Sequence, residues 1–265
     1  MESFAEVFYR CWQEIAVPAP PKLHYLSTVD STSSDLRRRL EAGLPLATIV
    51  AAEYQTAGRG RSGNRWHSQR GNNLYVSAAL EIDTRPEDRL PLVPLAAGVA
   101  AIDAILDCVS AEVLLKWPND ILLKDRKLAG ILCELPRPDL WPGRVIVGLG
   151  INISVLDFPS EIKNTAISLA EVVASQNGSL PHPATLACRF VSRLREWSWD
   201  QMDIAERIVD EWKARAEPFG RRVRTRSGEG ITVDLNRHGN LIVDTGGEEH
   251  IAVAGGIVEN MEKER

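Results

Sequence analysis

Gln55-Thr56-Ala57-Gly58-Arg59-Gly60-Arg61-Ser62-Gly63-Asn64-Arg65-Trp66 decides the fold class, because its glycine pattern is one that nucleotide-binding architectures would claim. Gly58-x-Gly60-x-x-Gly63 satisfies the dinucleotide fingerprint and follows the buried-strand run Ala47-Thr48-Ile49-Val50-Ala51-Ala52. A Rossmann loop must open a helix, however, and Asn64 to Asn73 has no apolar periodicity and is full of turn formers. A Walker A loop needs Lys and Ser or Thr after its last glycine, where this chain has Asn64-Arg65. Neither motif holds. What remains is a mobile loop whose amides can approach phosphates, whose arginines can bind them bidentately, and whose Trp66 can stack on a base. From Tyr54 to Leu80 there is no Asp or Glu, while Arg59, Arg61, Arg65 and Arg70 fall in this stretch, which points to an anionic partner.

Outward from the loop, the pattern alternates between α and β. On the N-terminal side, Phe4, Val7, Phe8, Cys11, Trp12 and Ile15 recur at helical spacing, so residues 2–15 read as an amphipathic helix ended by Pro18, Pro20 and Pro21. Leu23–Leu26 is a short strand, and the hydroxyls of Asp30-Ser31-Thr32-Ser33-Ser34 suit an N-cap for a helix over Asp35–Glu41 that stops at Gly43. On the C-terminal side, 74–80 reads as a strand, 92–109 as an Ala- and Leu-rich helix, and 113–116, 121–123, 127–135 and 144–153 as strands. Residues 162–218 are expected to be mostly helical, with Leu186, Phe190, Leu194 and Trp197 on one apolar face. From 219 onward, short strands separated by Gly228, Gly230, Gly239, Gly246 and Gly247 suggest a small barrel-like appendage.

The 265 residues carry 31 Lys+Arg against 36 Asp+Glu, a net charge of -5, and 44% hydrophobic residues, which excludes a disordered chain and a fibre. A protein that coats nucleic acid through bulk charge does not fit a pI near 5.6. One helix followed by prolines cannot supply a DNA-binding helix-turn-helix. No apolar run is long enough to span a bilayer and the first fifteen residues lack a signal-peptide pattern, so the expected location is cytoplasmic, without membrane contact. Cys11, Cys108, Cys133 and Cys188 are far apart with no zinc spacing and read as buried, reduced thiols.

Two further constellations complete the reading. Lys116-Trp117-Pro118-Asn119-Asp120 and Asp125-Arg126-Lys127-Leu128-Ala129-Gly130 would each, alone, be a hairpin turn. Asn and Asp at a strand end can also support a Mg²⁺–phosphate complex, and a lysine leading into a buried apolar run can neutralise a carboxylate in a pocket. Gly148-Leu149-Gly150-Ile151-Asn152 ends a strand with two residues that permit close approach of a ligand or of another backbone.

Taken together and in this order, Gln55–Arg61, Lys116–Asp120, Arg126–Gly130 and Gly150-Ile151-Asn152 resemble biotin protein ligases. The resemblance covers the chain from about Ser31 to the end. It implies an α+β fold, a mixed sheet packed with helices like that of class II synthetases over residues 1–218, with a small SH3-like barrel over 219–265. What precedes Ser31 is too short for the DNA-binding domain of the bifunctional members, so the expected type is monofunctional, with no DNA partner. The implied activity is ATP-dependent ligation of biotin, through biotinyl-5′-AMP and with Mg²⁺, to a lysine of a biotin carboxyl carrier protein or domain.

Carried over by position, the resemblance places Ser31, Thr32, Ser33 and Gln55 on the biotin ring, with Gly58, Arg59, Gly60 and Arg61 closing over biotin and the phosphates. Lys127 would meet the biotin carboxylate and act as a catalytic residue with Arg59 and Arg61. Arg61, Arg65, Trp66, Lys116, Asn119 and Asn152 would hold ATP, Asn119 and Asp120 would support Mg²⁺, and Gly130 and Gly150 would give the ligand backbone room. Two positions depart from the family pattern: Ser33 stands where Asn is frequent, and Asn64-Arg65 stands where Arg follows the last loop glycine, so Arg65 or Arg70 is expected to take over part of the phosphate binding. A lipoate or octanoyl transferase of the same fold and a non-catalytic biotinyl-AMP-binding regulator remain the rivals. A homodimer through the central sheet stays open.

Overall fold

A computed structural model describes residues 2–15, 19–71, 73–82, 89–137, 139, 141, 143–174, 178–197, 199–226, 228–247, 250–254 and 259–260. Its main sheet has seven strands: β1 (Lys22–Leu26), β2 (Thr48–Ala52), β3 (Leu74–Glu81), β4 (Val113–Lys116), β5 (Asp120–Leu123), β6 (Arg126–Glu134) and β7 (Arg144–Ile151). Their order is β1-β2-β3-β7-β6-β5-β4, and only the β1–β2 pair is parallel. The mixed sheet is therefore as the family resemblance implies.

Strand alternation divides the sheet into two faces. Ile49, Ala51, Val76, Ala78, Val147, Leu149, Ala129, Ile131, Ile121 and Leu115 enter the large core, which they share with α1 (Phe4–Glu14), α3 (Val93–Leu106), α5 (Pro183–Arg195) and α6 (Ile204–Lys213). Helix α3 is buried nearly all round, and Pro94 fits its first turn, where no intrahelical N–H is required. On the opposite face, α2 (Thr32–Glu41) packs Leu36 and Leu40 on Val50, Ala79 and Ile146. The molecule is thus three-layered around the sheet, and what the α2 layer leaves uncovered is available to a ligand.

Several elements differ from expectation. Helix α2 begins at Thr32, not Asp35, and Ser31 is its N-cap by position without a side-chain cap bond; the hydroxyls of Thr32 and Ser33 are turned to Gln55 and Ser77 instead. Residues 162–218 are less helical than expected, with α4 only Ala170–Val173, and Trp197 is buried beyond the end of α5. Prolines at 181 and 183 and glycine at 178 break that segment. The cysteines are free, but only Cys11 and Cys188 are fully buried; Cys108 and Cys133 are half-buried.

The C-terminal unit is a five-stranded antiparallel sheet, β8 (Arg222–Thr225), β9 (Gly228–Leu235), β10 (Leu241–Asp244), β11 (Ile251–Val253) and β12 (Glu259–Asn260), in the order β11-β10-β9-β8-β12. Among the described residues no pairing closes it into a barrel, since β11 and β12 are its two ends. The segment leading into it covers the β4 edge, where Leu115 exchanges backbone bonds with Arg215 and Glu217 at 2.8 Å each, and the unit itself meets the main sheet where the Trp117 indole N–H donates to the Gly239 carbonyl at 2.9 Å. No helix among the described residues is long and apolar enough to cross a membrane.

Candidate active site

On the face opposite the helical core, the same alternation brings out residues mostly of small size or polar character, Ser77 on β3, Gly148 and Gly150 on β7, Gly130 on β6, Asp120 on β5 and Lys116 on β4, with Leu132 of β6 the apolar exception. The register aligns three of them in one row, Asp120 opposite Gly130 and Gly130 opposite Gly150. A cavity of about 260 Å³ lies there, closed by Ser31–Ser33 at the start of α2, by Gln55, and by Arg59–Ser62 and Asn64–Trp66 of the glycine-rich loop. That volume is near the low end for small-molecule sites.

Lys127 reaches this cavity because of a bulge. By strict alternation from Gly130 it would face the core, but the β5–β6 register shifts between Ile121 and Leu122, so that Lys127, rather than Leu128, comes opposite Leu122. Such a bulge re-aims a side chain. Leu128 goes into the core instead, and Lys127 Nζ lies 2.6 Å from Asp120 Oδ1. The backbone of Lys127 bonds outside the sheet, to Thr165 O at 2.7 Å and from Ile167 N at 3.1 Å.

The loop forms an arm that bends over these residues. Gly60 N–H donates to Asn64 O at 2.7 Å and Trp66 N–H to Gly58 O at 3.0 Å, with Ser62 and Gly63 in left-handed conformation at the tip. This brings the Trp66 indole flat against the paired glycines: a Cβ at Gly150 would stand 2.6 Å, and one at Gly130 2.9 Å, from its ring atoms. Lys127 Nζ lies 5.7 Å from the ring centroid. The indole N–H is buried with no partner among the described residues, a loss of about 1–3 kcal/mol that a bound acceptor would relieve.

At one end of the cavity a chain of buried polar groups is already connected. Thr32 N–H and Oγ1 both meet Gln55 Oε1, at 2.8 and 3.2 Å; Ser77 Oγ donates to Thr32 Oγ1 at 2.8 Å; and Ser33 Oγ lies 3.0 Å from Ser77 Oγ. Gln55 Nε2 donates to Ser68 Oγ at 3.3 Å. At the other end, Arg61 donates to Asn119 Oδ1 at 3.1 Å, and Asn119 Nδ2 donates to Ile131 O at 2.8 Å.

The expected residues therefore converge, with three adjustments. Gly58 and Asn152 do not line the cavity: Gly58 lies at the base of the arm, and the Asn152 side chain donates to Ile167 O at 3.2 Å, which braces the segment beside Lys127. Arg70 also lies outside, donating to Thr28 Oγ1 at 2.8 Å and stacked 4.9 Å from the Tyr54 ring, so of the two arginines expected to replace the missing loop arginine only Arg65 lines the cavity. The acid-free stretch, moreover, is compensated from other elements. Arg59 pairs with Glu134, and Arg70 with Glu53 at 3.8 Å, while Arg61 and Arg65 bond only neutral oxygens among the described contacts. Ser77 and Glu134 were not singled out by sequence; Ser77 is legible only once β3 and β7 are set in register, where it comes opposite Gly148, the glycine read from sequence as permitting close approach, at which a Cβ would meet Ser33 Oγ at 2.7 Å.

Residues 25–152 match the biotin/lipoate A/B protein ligase family. A Mycobacterium tuberculosis biotin--[acetyl-CoA-carboxylase] ligase is 30% identical over 246 residues, covering 89% of this chain and 88% of the relative. The Bacillus subtilis bifunctional ligase/repressor BirA is 32% identical over 232 residues, 84% of this chain and 69% of the relative. In structure, the biotin protein ligase from Aquifex aeolicus in complex with biotin and ATP superposes with a TM-score of 0.72 at 26% identity, over 90% of this chain and 99% of that one. The chain belongs to the biotin/lipoate A/B protein ligase family, among its biotin protein ligases.

Proposed function

We propose that the cavity binds biotin and ATP, joins them as biotinyl-5′-AMP with release of pyrophosphate, and then passes biotin to a lysine of a biotin carboxyl carrier domain. The observation that carries this reading is the convergence of Lys127, an unpartnered Trp66 N–H, and two arginines without acidic partners among the described contacts on one cavity that ends in a neutral hydrogen-bonding chain. A carboxylate attacking a phosphate must overcome like-charge repulsion, so cationic groups fixed beside it stabilise the transition state and hold the reactants in line.

In this reading the Ser31–Ser33 and Gln55 end takes the ureido ring, whose donors and acceptors need partners. A fatty acyl chain would offer this polar end no hydrogen-bonding partner and would set apolar surface against it, which is the argument against a lipoate or octanoate substrate. Lys127 meets the carboxylate, with Asp120 holding its ammonium in place. Arg61, Arg65 and Lys116 face the phosphates, Asn119 keeps Arg61 oriented, and Gly130 and Gly150 let Trp66 lie close. Mg²⁺ would enter with the triphosphate beside Asp120 and Asn119, which would hold it together with the phosphates and water; its contribution would be to neutralise phosphate charge. The arm excludes water from the anhydride. Residues 1–218 form the catalytic unit and 219–265 the appended one.

Incubation with ATP, Mg²⁺, biotin and a carrier domain, followed by intact mass of the carrier, tests this directly. A biotin-sized increase that disappears without ATP is expected. An unmodified carrier with no biotin-dependent pyrophosphate would refute the reading. Melting shifts sort the substrate class, since biotin should raise the melting temperature where lipoate and octanoate do not.

A further inference from the structure

Glu134 is the last residue of β6 and bounds a second space, about 610 Å³, enclosed with Ala57–Arg65 of the arm and Leu132 and Cys133. Its carboxylate serves two arginines from two different elements. Arg59 of the arm donates to Oε2, and Arg37 of α2 lies 3.5 Å from Oε1. Helix α2 is the same helix whose first turn carries Thr32 and Ser33 of the cavity. One carboxylate thus joins the arm, the sheet and the helix that together enclose the site.

The arm needs such a tether. None of residues 61–65 is buried, and the tip is a left-handed turn, so apolar packing on the sheet is left to Trp66 at the end of the arm and does not fix the segment between Arg59 and Arg65. Besides the Trp66 indole on Gly130 and Gly150, its ties to the body are polar: Arg61 to Asn119, Gln55 to Ser68 at its base, and the Arg59–Glu134 ion pair. The pair is sheltered, with side-chain exposures of 34% for Arg59 and 19% for Glu134, so solvent screening weakens it less than it would a surface pair. Glu134 does not line the main cavity; Arg59 borders both spaces, and its guanidinium is paired with Glu134.

We propose that Glu134 is a positioning residue, acting through Arg59, that holds the arm closed and so sets how long an activated intermediate stays in the cavity. Arg59 is then a tether, with Arg61 and Arg65 left as the arm's anion-binding charges. The part concerning the intermediate rests on the ligase reading; the tether itself does not.

The test uses the full chain as wild type, Glu134→Gln, Arg59→Gln and the double variant, with melting temperature as the check on folding. Trypsin nicking after Arg61 and Arg65, read by mass without any ligand, reports the open population of the arm. Loss of one charge-assisted bond should raise nicking in Glu134→Gln about tenfold. In the Arg59→Gln background the same change should add less than about twofold, because both substitutions cut one tether. In Glu134→Gln the biotinyl-AMP dissociation rate should rise with the nicking, and the biotin KM should rise while kcat for adenylation holds. Wild-type nicking in Glu134→Gln, or a Glu134 effect undiminished in the Arg59→Gln background, would overturn the proposal. A wild-type chain that forms no biotinyl-AMP would instead overturn the ligase reading, since nicking is measured without it.

Discussion

A Cβ at Gly150, in the sheet wall of the cavity, would stand 2.6 Å from a Trp66 ring atom, whereas one at Gly63, in the arm, would meet nothing within 4 Å. Gly63 is held at φ +80° instead. The wall uses glycine to leave room, and the tip of the arm uses it to turn. This contrast extends to the neighbouring residues: the wall fixes its groups by register, with Asp120, Gly130 and Gly150 in one row, while the arm is placed by the Trp66 indole and a few polar ties. A rigid wall preorganises charge, and a tethered arm can open to admit ligand and close to exclude water.

The largest effect is expected at the wall's lysine. Lys127→Ala should leave the melting temperature nearly unchanged and lower biotin-dependent exchange of pyrophosphate into ATP on the order of 10²- to 10³-fold, as other lost transition-state charge contacts do. Exchange at the wild-type rate would remove Lys127 from the chemistry and leave the wall a passive surface.

The two glycines divide the comparison more finely. Gly150→Ala should displace Trp66 and raise the biotin KM about tenfold, equivalent to about 1.4 kcal/mol. Gly63→Asn should be nearly silent, because Asn tolerates the left-handed region. The contrast fails if Gly150→Ala binds biotin normally, or if Gly63→Asn is as damaging. A change of several-fold in ATP KM, with biotin KM unaltered, is expected for Arg65→Ala, since exposed charge contacts are worth about 1 kcal/mol or less. An unchanged ATP KM would mean that the arm's charge is carried by Arg61 without it.

The smallest effect lies at the start of α2. Two bonds from Arg38, each 2.8 Å, and one from the Ser31 N–H hold the Asp30 carboxyl at about 2, below its ordinary 3.8. A lowered folded-state value means that the unfolded chain binds more protons, so this stabilisation is present above about pH 4 and lost as pH falls toward 2. Arg38→Gln should therefore flatten the acid limb of a melting-temperature profile in that window, modestly, because both side chains are about half exposed. An unaltered limb would show that the pair contributes nothing.

How much of this was legible in the sequence follows the same division. The strands and most helices came from apolar periodicity, and the context after Gly63 was enough to set aside the nucleotide-binding reading of the arm. Lys127 was legible as a residue type but not as a cavity residue by alternation, because the bulge that turns it out is a property of β5 and β6 together. The acid-free stretch misled in part. Glu134 and Glu53, which neutralise Arg59 and Arg70, come from other strands or from before the stretch, and local charge counting does not see partners across a sheet. Asn152 was in the right motif, but its side chain is used on the segment that braces Lys127.

The most direct measurement is a structure of the protein with biotin bound. The expected result is the ureido ring against Ser31, Thr32 and Gln55 and the carboxylate within hydrogen-bond reach of Lys127 Nζ, between the Gly130–Gly150 wall and the arm. Biotin lodged instead in the mainly apolar recess of Leu90, Pro91, Pro94 and Val145, with Lys127 still on Asp120 and away from ligand, would contradict the account.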